Sequence, residues 1–249
     1  MKITIITVCR NCQETIEQTI CSVLAQEGIE LEFILIDGLS TDNTLKIVEK
    51  YKDRIGKIVS EKDQGMYDAL NKGIALATGE VIGMLHADDF YASSDILSAV
   101  VKTFELSGSD AVYGDLQYVG KLFPDKVIRN WISGPYREGL FLRGWMPPHP
   151  AFFVRKSCYL QYGQFNTLFK TAADYELMLR FIQKHKIKIE YLPRVLVKMR
   201  VGGKSNVSIA NRIRANQEDR LAWKINGLRP GILTLTMKPF SKLKQFFSH

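Results

Sequence analysis

The feature that most constrains this 249-residue chain is an alternation. Short apolar, β-branched runs at residues 2–8, 31–36, 55–60 and 81–85 read as strands. Between them, Ile16, Ile20, Val23 and Leu24, then Leu45, Val48 and Tyr51, then Tyr67, Leu70, Ile74 and Ala77 fall at helical spacing. Asn11, with Glu14 three residues on, has the form of a capping box, and Gly65 and Gly79 bracket the third helix. Strands alternating with helices predict βαβ units, hence an α/β fold with a mostly parallel central sheet and helices on both faces. A hydrophobic content of 46% is enough to cover such a sheet with a core.

Open α/β sheets bind ligands beyond the carboxyl ends of their strands. The second run ends at Asp37. The fourth ends in His86-Ala87-Asp88-Asp89. Two adjacent acids there have two readings. They are carboxylate ligands for Mg²⁺ or Mn²⁺ on a bound diphosphate, or they cap the segment that follows. After the first run stands Cys9-Arg10-Asn11 in place of GxGxxG, which argues against a dinucleotide dehydrogenase. Cys9-x-x-Cys12 has no second CxxC to complete a metal site, and the four cysteines show no disulfide spacing. They are expected to be reduced thiols of a cytoplasmic protein. No apolar run reaches the roughly 18 residues of a spanning helix, and the chain opens on a strand rather than on a leader pattern.

Further along, a helix is expected over 95–106, a strand over 111–119 and a short strand over 151–154. A helix follows over 173–184, then strands over 187–192 and 195–199 around Pro193, and a charged helix over 208–226. Residues 131–150 are rich in Gly, Pro and aromatics, a pattern of active-site lids and acceptor-binding segments. Charge is uneven. From Arg180 onward there are sixteen Lys/Arg against three Asp/Glu; before it, eighteen against twenty-three. The basic third suggests an anionic partner, either nucleic acid or a membrane face. Phe240, Leu243, Phe246 and Phe247 fall near one helical face beside Lys242 and Lys244, a pattern that lies on anionic bilayers or docks on the body of the protein.

Four segments carry a resemblance. They are Thr7-Val8-Cys9-Arg10-Asn11, Asp37-Gly38-Leu39-Ser40-Thr41-Asp42, Asp63-Gln64-Gly65-Met66-Tyr67-Asp68-Ala69-Leu70-Asn71-Lys72-Gly73, and His86-Ala87-Asp88-Asp89. In this order and spacing the chain resembles the family 2 inverting glycosyltransferases of GT-A fold, in particular the bacterial enzymes of capsule, exopolysaccharide and O-antigen (lipopolysaccharide) synthesis. The resemblance implies a catalytic domain over 1–205, with a nucleotide-sugar half to about 115 and an acceptor half beyond, and a basic extension over 206–249. It implies that Thr7, Arg10 and Asp37 line the nucleotide pocket and that Lys62 and Asp63 meet the nucleotide and donor sugar. Asp88 would serve both donor and metal, with Asp89 and His149 as further ligands of Mn²⁺ or Mg²⁺. His86 stands where many relatives have Asp. Thr171-Ala172-Ala173-Asp174-Tyr175-Glu176 resembles the segment bearing the family's base, which makes Asp174 the base and Glu176 a weaker alternative. Arg200 and Lys204 stand near where relatives carry a further phosphate contact, and Asn71 and Lys72 are expected only to finish a packed helix. The implied donor is UDP-linked and the implied acceptor a glycan on polyprenyl diphosphate. The implied place is the inner face of the cell membrane, with no nucleic acid bound. A sugar nucleotidyltransferase would need a Gly-rich basic loop after the first strand, which is absent. A nucleic-acid binder would need an RNA-binding or helix-turn-helix signature, also absent.

Overall fold

The structure, a computed structural model, describes residues 1–202, 209–231 and 234. Its N-terminal half follows the predicted alternation. Strands β1 (Lys2–Cys9), β2 (Glu30–Asp37), β3 (Lys57–Ser60) and β4 (Val81–Met84) form a parallel unit in the order β3-β2-β1-β4. Helices α1 (Ile16–Leu24), α2 (Thr44–Glu49) and α3 (Met66–Leu76) connect them. Successive strand side chains point to opposite faces. On one face Ile6 and Ile34 therefore pack with Tyr67, Leu70 and Ile74 of α3. On the other, Ile3, Ile5 and Phe33 pack with Ile16 and Ile20 of α1 and Val48 of α2. A sheet buried on both faces reads as unbroken apolar runs, which is what residues 2–8 and 31–36 show.

The remaining elements are β5 (Asp89–Tyr91), α4 (Ile96–Ser107), β6 (Ala111–Val119), β7 (Val127–Trp131), β8 (Phe152–Arg155), α5 (Lys156–Tyr162), α6 (Ala173–Met178), β9 (Ile189–Arg200) and α7 (Ile209–Ile225). They extend one nine-stranded sheet in the order β3-β2-β1-β4-β8-β6-β9-β5, with β7 paired to β6. Strand β8 runs antiparallel to β4, and β6 and β9 run parallel to each other. Where β4 meets this half, a Cβ on Gly83 would fall 2.6 Å from the Phe153 ring, so only glycine allows the approach. No helix among the described residues is long and apolar enough to cross a membrane.

Two local expectations change and a third holds. Asn11 does not cap α1. Its backbone is left-handed at φ 54°, and its side-chain oxygen accepts from the Thr41 backbone N–H at 2.8 Å, so the helix starts only at Ile16. Pro193 does not split a strand in two. β9 is continuous, and the pairing with β6 absorbs the irregularity by shifting register around Asp115. The charged helix expected over 208–226 forms as α7, and it packs on α6 with Ala222 and Trp223 buried in the main core. The aromatic and basic positions from Phe240 to Phe247, and Lys204, lie outside the described residues.

Candidate active site

Asp37 ends β2 and is completely buried. Its carboxylate accepts from the Ser40 backbone N–H at 3.0 Å, from the hydroxyls of Ser40 and Ser60 (the latter at 2.7 Å), and from the Cys9 thiol at 3.6 Å. Asp37, expected at the nucleotide, therefore faces inward and ties the ends of three parallel strands together. The chemistry at this edge is presented by its neighbours. A Cβ on Gly38 would collide with the Asp63 carboxylate and lie 3.5 Å from Arg10 Cδ, so the bare glycine leaves room for both side chains over the turn. Asp63 is half-buried and accepts from the Gly65 N–H at 2.9 Å. Lys62 is exposed. Its carbonyl accepts from Lys72 Nζ at 2.8 Å, and Lys72 also bridges Glu61 at 2.7 Å, so Lys72 holds the 61–65 loop rather than merely finishing a helix. Thr7 is buried on β1 with a hydroxyl that has no protein partner.

The two adjacent acids separate. Asp88 is half-exposed. Asp89 is 1% exposed, and one of its carboxyl oxygens is buried without a partner. Burial, then the negative charge of Asp88, hold the Asp89 carboxyl well above the usual carboxylate range against the opposing pull of Arg200. Asp89 belongs to β5, opposite Met199, and is not presented to solvent as a metal ligand. Arg200 is also turned inward. It donates to the Asp88 carbonyl at 2.5 Å, reaches Gln18 and lies 5.0 Å from the Phe90 ring centroid, so it fixes the turn behind Asp88 instead of meeting a diphosphate.

Around Asp88 the chain gathers His86, His149, Asp174 and Tyr67. His149 Nδ1 lies 3.3 Å from one oxygen of Asp174, and the Tyr67 hydroxyl donates to the other at 3.3 Å. The His86 and His149 ring centroids are 5.3 Å apart. Burial, then His149, push the His86 imidazole down to about 3, so it is neutral at physiological pH. Burial also lowers His149, countered by Asp174 and Asp88. With 33% of its side chain still open, that push is weaker. Burial and the Asp174 charge both raise the Tyr67 phenol, which stays a donor.

Asp174 lies in the first turn of α6, where unpaired backbone N–H groups favour a carboxylate. What holds that turn is remote in sequence. Glu218 of α7, 9% exposed, accepts from the backbone N–H of Lys170, Thr171 and Ala172 and from the Thr171 hydroxyl, at 2.8–3.2 Å. Trp223 Nε1 donates to the Tyr175 hydroxyl at 2.8 Å. Glu176, the alternative base, is 2% exposed and bound to Arg180 and Asn226, which removes it from the cleft. Asn71 exchanges two hydrogen bonds with Phe165, whose ring stacks 5.5 Å from Tyr67. Glu218→Ala should remove the acceptor of three backbone donors, the Ala172 N–H buried and those of Lys170 and Thr171 part-buried, at about 1 kcal/mol each. A loss of about 3 kcal/mol would lower the melting temperature by roughly 6–12 °C. Thermal denaturation is the check, and an unchanged transition would deny Glu218 its capping role.

Sequence reasoning did not single out Tyr67 or Glu218 as site residues. Tyr67 sits at helical spacing and reads as core, and nothing in a charged helix forty residues downstream points to Asp174. As for a metal, no three His, Cys, Asp or Glu side chains among the described residues converge to hold one. Mg²⁺-type ions are commonly held by one or two carboxylates together with substrate phosphates. A lone open Asp88 beside the His149 imidazole fits an ion of that kind, one that is completed by a bound diphosphate.

Known proteins resemble this chain in sequence and in fold. The model of glycosyl transferase family 2 matches residues 4–156. A PGL/p-HBAD biosynthesis glycosyltransferase of Mycobacterium bovis is 31% identical over 193 residues, covering 76% of this chain and 73% of that one. Among solved structures, S. aureus TarS 1-349 in complex with UDP-GlcNAc aligns with a TM-score of 0.69 at 16% identity, over 91% of this chain and 65% of that one. The mannosyltransferase PcManGT from Pyrobaculum calidifontis, in complex with GDP-Man and Mn²⁺, aligns with a TM-score of 0.67 at 21% identity, over 98% of this chain and 70% of that one. The sheet is thus of the kind found in sugar transferases. The chain belongs to glycosyl transferase family 2.

Proposed function

We propose that the chain is a metal-dependent, inverting glycosyltransferase. It moves a sugar from a nucleotide-sugar, most naturally UDP-linked, to a glycan acceptor on polyprenyl diphosphate, in bacterial surface-polysaccharide assembly at the inner face of the membrane. The observation that carries the reading is Asp174, gripped by Tyr67 and His149 in the same cleft as Asp88. Asp174 is the base. It takes the proton from the acceptor hydroxyl as that oxygen attacks the anomeric carbon, and one displacement inverts the centre. Tyr67 and His149 hold the carboxylate on two sides and restrict its rotation. Arg10, Lys62 and Asp63 receive the nucleotide at the sheet edge, and Thr7 near the end of β1 lines the same pocket. Asp88, with His149 beside it, would hold the Mn²⁺ or Mg²⁺. Such an ion neutralises charge on the leaving diphosphate. Relatives and structural neighbours whose names include a glycosyltransferase, UDP-GlcNAc, GDP-Man and Mn²⁺ support the donor class and the ion.

The test is release of nucleoside diphosphate from a panel of UDP-, GDP- and TDP-sugars, with membrane lipid extract as acceptor source. Release from one donor, abolished by EDTA and restored by Mn²⁺, is expected. Release of pyrophosphate would instead mark a nucleotidyltransferase, and release insensitive to EDTA would remove the metal.

A further inference from the structure

Strands β6 and β7 pair as a hairpin of the sheet whose connecting turn is apolar and exposed. Leu122 is 81% exposed and Phe123 71%, with Val127 and Ile128 above 40% at the start of the return strand. Soluble surfaces seldom group large apolar side chains in this way without a partner. The hairpin is a built feature. Gly120 N–H donates to the Lys126 carbonyl and Lys126 N–H to the Phe123 carbonyl, both at 3.0 Å. A Cβ on Gly120 would come within 2.7 Å of the Phe123 carbonyl oxygen. Tyr118 and Trp131 stack across the stem, and the Arg129 guanidinium lies 3.8 Å from the Tyr118 ring centroid. A braced stem therefore presents the apolar tip at a fixed place.

Charge decides the partner. Exposed Lys121 and Lys126 flank the tip against one acid, Asp125, within a chain whose first 179 residues are net acidic. Apolar side chains between two long cationic ones match the interface of an anionic bilayer. There the rings and branched chains enter the acyl boundary while the ammonium groups stay at the headgroups. A protein groove would take the apolar groups but gives no reason for the paired lysines. We infer that the β6–β7 hairpin is a membrane-docking element that inserts Leu122 and Phe123 into an anionic lipid surface. The hairpin leads through Ser133 and Trp145 into the segment bearing His149, and Trp145 Nε1 donates to the Ser133 carbonyl at 2.9 Å. The docking surface is thus joined to the candidate active site by a short, internally bonded stretch. The inference extends the proposed lipid-linked acceptor, but its test reads binding alone, so either can fail without the other.

The experiment is co-sedimentation of the full chain with vesicles of phosphatidylcholine alone or mixed with phosphatidylglycerol. Binding should need phosphatidylglycerol and fall with added salt. Leu122→Ser/Phe123→Ser should weaken it by roughly tenfold or more. Lys121→Glu/Lys126→Glu should weaken it by at least about fivefold per charge lost. Thermal transitions matching wild type would show that both variants are folded, and the second variant leaves the apolar tip intact. Wild-type binding by both variants would overturn the inference. So would loss of binding only in Phe246→Ser/Phe247→Ser, which would assign docking to the C-terminal segment. A wild-type dimer that becomes a monomer in the Leu122/Phe123 variant, with vesicle binding unchanged, would show that the tip meets a second copy.

Discussion

Asp174→Asn is expected to lower kcat by roughly 10²–10⁴-fold, the usual contribution of a general base, while nucleoside diphosphate binds as to wild type. The substitution is nearly isosteric. The amide oxygen still accepts from Tyr67, and Glu218 still holds the 170–172 segment that leads into α6. What is lost is the site that receives the acceptor proton. Steady-state kinetics paired with calorimetric titration of nucleoside diphosphate separates the two effects. A parallel loss of binding would mean that Asp174 holds donor rather than acceptor, and full activity would move the base elsewhere. Tyr67→Phe provides a graded control. It removes one of the two groups holding Asp174 and should lower kcat by less than Asp174→Asn, with little change in donor KM.

Asp88→Asn should reduce turnover by about 10²–10³-fold, the scale seen when one preorganised electrostatic partner is removed from a reacting oxyanion. The Mn²⁺ concentration for half-maximal activity should rise as well. Asp89→Asn is the decisive contrast. Its carboxyl is buried and carries an oxygen without a partner, so a neutral amide of the same shape should leave the metal response near wild type. Activity measured against Mn²⁺ concentration for both variants is the check. Equal loss in the two would return Asp89 to the metal, and no loss in either would take the ion away from this turn.

The parts of the fold legible in the sequence were those written in local periodicity. The runs at 2–8, 31–36 and 81–85 were unmistakable because both faces of a parallel sheet are covered, and helix α3 announced itself through Tyr67, Leu70 and Ile74. Asn11 misled because a capping pattern is local, whereas its left-handed backbone is set by a bond to Thr41, thirty residues away. Pro193 misled because a register shift between β6 and β9 accommodates it, and only the partner strand reveals that. In the candidate site, a strand end drew attention to Asp88 and a family-like helix start to Asp174, but neither pattern shows the surroundings of the residue. Two neighbouring aspartates look equivalent in sequence. Whether Asp88 or Asp89 faces solvent depends on the strand β5 makes with β9, a pairing more than a hundred residues apart. Asp37 is legible as the end of a strand, while its bonds to Ser40, Ser60 and Cys9 are visible only in the folded chain.

The reach of Arg200 and Glu218 has a temporal meaning. Arg200 fixes the turn that bears Asp88, and Glu218 fixes the turn that bears Asp174, and both residues belong to the last fifty of the chain. Synthesis proceeds from the N-terminus, and chain segments fold as they become available. The parallel strands β1 to β4 pair with one another within roughly the first third of the sequence, and only β4 has a later partner, β8, so the donor-side sheet can begin to assemble while the rest is still being made. The two acids cannot be set until Arg200 and Glu218 have been made. A nascent product that stops short of Arg200 therefore has the platform for a nucleotide without the two residues that fix the surroundings of Asp88 and Asp174.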